Sequence, residues 1–103
     1  MSQEKIDELR AKDPTLTLVR IGGTPLLLRR PTRPEWEEFL TDVASEPTKR
    51  LDAIKRTVRE CVVYPDYTAL DVFLDQRPAR LTNIMGVIKT LAGEDEKVEV
   101  EKA

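Results

Sequence analysis

The sequence predicts an α+β, mainly α fold: an N-terminal β-hairpin followed by about four short helices. Three observations carry this. Two β-rich apolar runs flank a glycine pair, Gly22-Gly23. Four later segments repeat apolar residues at helical spacing, each set off by a cap, a proline or a glycine. The chain has 103 residues, enough for one compact domain and hardly two.

Residues 1–14 read as a helical or flexible N-terminal segment. Ile6 and Leu9, three apart among charges, suit a helix over 3–12, but so short a helix needs docking to persist. The compact domain is expected over 15–93. Its hairpin pairs Thr15–Ile21 with Thr24–Arg29 across a two-residue primed turn at Gly22-Gly23, which accepts positive φ at both positions. Pro25 donates no backbone hydrogen bond, so it belongs at an edge or non-bonded position.

The first helix of the body opens at Thr32 with Glu35 three residues on, a capping box with Pro34 in the first turn. Trp36, Phe39, Leu40 and Val43 fall on one face. A second helix, about 48–62, sets Leu51, Ile54, Val58, Cys61 and Val62 along a stripe that Pro65 ends. Asp66 caps a third helix with Leu70, Phe73 and Leu74 inside. Pro78 starts a fourth, lined by Leu81, Ile84, Met85, Ile88 and Leu91, and Gly93 supplies a left-handed stop. Residues 94–103 hold seven charges and two valines and read as a mobile acidic tail.

Composition narrows function. With no histidine, imidazole general bases, Ser-His-Asp and Cys-His systems and imidazole metal sites are excluded. One cysteine, Cys61, leaves no intramolecular disulfide and no CxxC motif. Seventeen basic against nineteen acidic residues is not the balance of a general nucleic-acid binder. No apolar run is long enough to span a membrane, and the start lacks the apolar stretch of a secretory signal. Gly22-Gly23 lacks the lysine and spacing of a phosphate loop. Glu35/Glu38 and Asp71/Asp75 read as solvated helix faces rather than acid–base pairs, and Glu94-Asp95-Glu96 lacks the pattern of a calcium loop. The reading is therefore a non-enzyme with no catalytic residue, cofactor or metal. Arg29, Arg30 and Arg33, with Arg20 across the hairpin, form the best basic patch, and surface arginines over apolar residues explain it most simply.

The hairpin register sets Val19, Ile21, Leu26 and Leu28 on one face, the natural core side. Leu16, Leu18 and Leu27 lie on the other, where a one-layer sheet is expected to be wet. Either helices cover both faces or this side meets another chain; with few helices to spare, the second is preferred. Leu16, Leu18 and Leu27 are thus candidate partner-binding residues. Trp36 and Phe39 read as core and, in a domain this small, also as candidate partner anchors.

The run Arg29-Arg-Pro-Thr-Arg-Pro-Glu-Trp36, the helix entering Cys61-Val-Val-Tyr-Pro-Asp66, the short helix to Arg77-Pro78 and the last helix closing on Leu91-Ala-Gly93 carry a resemblance. Over about 15–93 the chain resembles the small tail assembly chaperones of long-tailed bacteriophages. The resemblance implies a holdase that coats the helical tape-measure protein and keeps it soluble until tail-tube subunits replace it. It also implies a homo-oligomer in the host cytoplasm, absent from the mature virion, with a frameshifted longer form contacting the tail-tube protein, and neither nucleic-acid nor membrane partners. The alternatives are a small helical nucleic-acid-binding regulator and a structural phage tail or connector component.

Overall fold

A computed structural model describes residues 3–101. The first two residues of the expected N-terminal segment and the last two of the expected tail lie outside the described residues. The elements run α1 (Gln3–Lys12), β1 (Thr17–Ile21), β2 (Thr24–Leu28), α2 (Arg33–Ser45), a 3-10 turn (Pro47–Lys49), α3 (Arg50–Cys61), β3 (Val62–Tyr64), α4 (Tyr67–Gln76) and α5 (Arg80–Leu91). This is the α+β, mainly α arrangement expected, with a small sheet near the N-terminus and helices after it.

Gly22 and Gly23 turn the hairpin at φ 58° and 82°, conformations that strain any residue with a Cβ. The resulting register pairs Thr17 with Leu28, Leu18 with Leu27, Val19 with Leu26, Arg20 with Pro25 and Ile21 with Thr24. The sheet gains a third strand that helical periodicity hides. Val62 opens β3, which runs antiparallel to β2 and pairs Leu27 with Tyr64 and Leu28 with Val62. The expected helix over 48–62 therefore divides into the 3-10 turn, α3 and the start of β3. Strand order is β1-β2-β3, so β2 is central. Pro25 nonetheless sits in an edge-like position, because the β3 partners stop at Leu27.

Two apolar layers flank the sheet. Leu26 and Leu28 point into the main core with Phe39 from α2, Val58 and Cys61 from α3, Leu70 from α4 and Ile84 and Ile88 from α5. The Arg29 amide donates to the Cys61 carbonyl at 2.9 Å, tying the end of β2 to the end of α3. Leu27 points the opposite way, into a smaller cluster with Ile6 and Leu16. All three β2 leucines are fully buried, as in a strand covered on both sides.

The caps form where expected. Thr32 and Glu35 complete the capping box of α2, and the Asp66 carboxylate accepts the Ala69 amide at 2.9 Å to start α4. Gly93, at φ 90°, follows α5. Two assignments to the inner stripes are corrected. Leu40 is 48% exposed and Leu51 52% exposed. α2 packs chiefly against α3, so its buried arc centres on Phe39 and leaves Leu40 outside. The buried face of α3 is centred on Ala53, Thr57, Val58 and Cys61, which places Leu51 on its flank. The buried Thr57 hydroxyl is satisfied by donating to the Ala53 carbonyl at 2.9 Å.

Candidate interaction surface

Three helices leave an open groove of about 890 Å³ between them. Its apolar lining comes from Val58 of α3, Leu74 of α4 and Leu81 of α5, with Tyr67 and Pro78 alongside. The walls carry opposite charge. α3 contributes three cations, Lys55, Arg56 and Arg59, and one acid, Glu60, whereas α4 contributes Asp71 and Asp75, one helical turn apart. Val58 belongs to the main core, so the groove floor is continuous with the domain interior.

One ion pair links the two walls. Arg59 donates to both Asp71 carboxylate oxygens at 3.4 and 3.3 Å. Both side chains are about half exposed, so this pair is worth little and yields readily to a competing partner. The Arg59 guanidinium also lies 6.0 Å from the centroid of the Tyr67 ring, whose side is open to solvent. Arg56 is held more firmly: it donates to Asp42 at 2.7 Å and lies 3.7 Å from Glu38. Its second terminal nitrogen, Nη2, is buried without an acceptor among the described residues. Glu60, beside these groups, has its pKa raised by burial and by the Glu35 charge.

The residues singled out from the sequence are placed differently. Leu27 is fully buried, Leu16 is 6% exposed and Leu18 is half-buried, all against Ile6 and Leu9 of α1 and beside Tyr64. The preferred expectation of another chain on this face is corrected, because α1 of the same chain covers it. The physical reason is mutual need. A ten-residue helix with two apolar anchors is unstable alone, and the hairpin face is unstable bare. Phe39 is buried and Trp36 half-buried, their rings stacked with centroids 5.3 Å apart. They stiffen the α2 side of the core and do not line the groove.

The chemistry-bearing candidates are also occupied. Arg29 forms a bidentate pair with Glu35, both bonds 2.8 Å, and Arg33 bonds Glu37 at 2.7 Å. That arrangement spends half of the four-arginine patch on internal carboxylates. Arg29 holds Glu35 down at about 2, far from a pKa useful for neutral acid–base work. Burial pushes the Cys61 thiol up to about 11, the opposite of an activated nucleophile. Among the described residues no group of three metal-ligating side chains is assembled, and no helix is long and apolar enough to cross a membrane.

Sequence reasoning missed the groove because no local pattern marks it. Its one legible signal is the row Lys55, Arg56 and Arg59 on a sharply amphipathic helix, facing acids spaced by one turn in the next helix.

No protein-family model and no curated protein sequence matches the chain. Its fold is similar to that of an uncharacterised protein from Bacillus stearothermophilus whose structure is solved. The two are 20% identical, with a TM-score of 0.74 over 93% of this chain and 99% of that one. At that identity the likeness establishes a shared fold: a small three-stranded sheet overlaid by helices.

Proposed function

We propose that the chain is a non-catalytic holdase for amphipathic helices, acting as a tail assembly chaperone of a long-tailed phage. In this reading its client is the tape-measure protein, held soluble in the host cytoplasm until tail-tube subunits displace the chaperone. The observation that carries the reading is the groove between α3, α4 and α5, with an apolar lining and walls of opposite charge. An amphipathic helix fits such a trough, its apolar stripe on Leu74, Leu81 and Tyr67. Acidic flanking residues would meet Lys55 and Arg59, and basic ones would meet Asp71 and Asp75. Release needs no bond-breaking step. Each contact is weak, and many copies along one long client hold it by avidity.

Co-expression with the tape-measure protein tests this. Wild-type chain should keep the client in the soluble fraction and co-purify with it. Tyr67→Ser combined with Arg59→Glu should reduce soluble client several-fold without lowering the melting temperature, because both side chains are about half exposed or more. Unchanged client solubility with that variant rejects the groove. Steep loss of binding to random duplex DNA with added salt, at affinities matching client capture, would favour the nucleic-acid reading instead.

A further inference from the structure

We propose that the free edge of β1 receives the C-terminal segment 97–101 of a second copy of the chain, which joins the sheet as a fourth strand. The edge follows from the hairpin. A two-residue turn makes Ile21 and Thr24 a hydrogen-bonded pair, and bonded and non-bonded pairs alternate from there. Thr17, Val19 and Ile21 therefore bond β2, whereas Leu18 and Arg20 aim their amides and carbonyls away from it. Pro25, which has no amide hydrogen, accordingly sits opposite Arg20. β1 is an outermost strand, and among the described residues no backbone bond from outside the hairpin reaches 17–21. All five of its residues keep some exposure, while Leu26, Leu27 and Leu28 of β2 have none.

The two edges of the sheet are guarded differently. β3 has three residues, its pairing with β2 is irregular, and Pro65 follows it directly. β1 has five residues in regular register, no proline and one charge, Arg20. Edges of the second kind accept further strands. Arg20 has no ion-pair partner among the described residues.

The segment Lys97-Val98-Glu99-Val100-Glu101 matches this edge. Apolar and charged residues alternate with the period of a strand. The segment belongs to no helix or strand of its own chain, and Val98 and Val100 are 84% and 85% exposed. The Lys97 ammonium lies 3.8 Å from the Glu99 carboxylate, which sets these two side chains on one side of the backbone, as in a strand. With Glu99 beside Arg20, the segment can run in either direction along β1 and still set Val98 and Val100 beside Val19 and Ile21. Both of those residues pack against the main core, so the added valines extend an apolar layer while opposite charges meet on the other face. A slip of one residue would put a valine beside Arg20 and charges beside Val19 and Ile21, so the alternation selects the register.

A single chain leaves both halves unused, the edge bare and the valines in water. A second copy supplies what each half lacks. One tail and one edge per chain make the contact head-to-tail, so it can add further copies. Two valines and a few backbone bonds make it weak between isolated chains and effective where many copies line up. The site depends neither on the groove nor on what the groove binds.

Paramagnetic broadening between full-length chains tests this. A nitroxide is placed on Glu101→Cys, with the fully buried Cys61 left as it is. Mixed at about 1 mM with isotope-enriched wild type that carries no nitroxide, the labelled chain should broaden the amides of β1 most. Val98→Asp with Val100→Asp in the labelled chain should remove the effect without lowering its melting temperature, because both side chains stand in solvent. Arg20→Glu in the receiving chain should weaken the contact at least about threefold, and Glu99→Lys in the labelled chain should restore it. The proposal fails if β1 is not broadened, if the effect centres on the groove residues Tyr67 and Leu74, or if the charge exchange restores nothing. It also fails if a chain carrying both labels keeps the broadening on dilution, which would seat the tail on its own β1.

Discussion

Arg29 and Glu35 form a bidentate pair in which both guanidinium–carboxylate bonds measure 2.8 Å. The same carboxylate accepts the Thr32 amide at 2.8 Å, so one side chain closes the α2 capping box and ties the helix start to the end of β2. Arg29 in turn is bonded through its amide to Cys61. The pair thus joins sheet, α2 and α3 at one corner.

The first prediction concerns acid. The Arg29 hydrogen bonds, with help from Thr32, hold the folded Glu35 pKa near 2 against an ordinary 4.5. A depressed carboxylate pKa adds stability above the unfolded value, and that stability is lost as pH falls through the folded one. Glu35→Gln should therefore cost about 1–2 kcal/mol at pH 7, moderated by partial exposure. The penalty should shrink between about pH 5 and pH 2. Urea melts of both proteins across that range check it; a penalty independent of pH would show that the charge contributes nothing.

Glu60 should behave in the opposite sense. Burial first, and the Glu35 charge second, raise its pKa above 4.5. A raised carboxylate pKa favours the folded state below the unfolded value and costs stability as pH rises through the folded one. Glu60→Gln should then stabilise the protein at pH 7 by up to about 1 kcal/mol, with the gain disappearing below pH 4. Thermal melts at pH 7 and pH 4 would expose a constant or reversed effect.

The legibility of this chain followed the range of each signal. Gly22-Gly23 set the register locally, and with it the two faces of the hairpin. Thr32 with Glu35, Asp66 and Gly93 marked helix ends because caps act within a turn. β3 was illegible: Val62-Val63-Tyr64 continues the apolar run of α3, and its strand character depends on Leu27 and Leu28, more than thirty residues away. The register showed that Leu16, Leu18 and Leu27 needed a cover, but two apolar anchors in 3–12 did not name α1 as that cover. The groove belongs to the relative placement of three helices, so Asp71 and Asp75 read as a solvated helix face, and nothing local singled out Lys55 or Arg59.

Cys61 offers a third prediction. It is fully buried, and burial pushes its thiol up to about 11. At pH 8 only about one thiol in a thousand is ionised, and that one is screened by the core. An aromatic disulfide reagent should react with the native protein only at the rate of opening and immediately once urea unfolds it. Cys61→Ser should cost about 1–3 kcal/mol, because a hydroxyl replaces a thiol among apolar neighbours. Fast native labelling would place Cys61 in a mobile region instead.

The last prediction separates the two faces of β2. Leu26 and Leu27 are adjacent and both fully buried, yet they belong to different clusters. Leu26→Asp strands a carboxylate in the main core, against Val58, Ile84 and their neighbours, and should unfold the domain. Leu27→Asp places the charge beneath α1, where the helix can lift and let water reach it. Its cost should approach the docking energy of Ile6 and Leu9, about 2–4 kcal/mol, and not the whole stability. Far-ultraviolet circular dichroism should then lose roughly one short helix while the cooperative melt survives at lower temperature. Amide exchange would locate the loss in residues 3–12. If Leu27→Asp abolishes the melt as completely as Leu26→Asp, the two clusters form one cooperative unit and α1 is integral to the core. If it leaves α1 and the melt unchanged, the face under α1 tolerates a carboxylate, and the side-chain burial of Leu27 contributes nothing to holding the helix down.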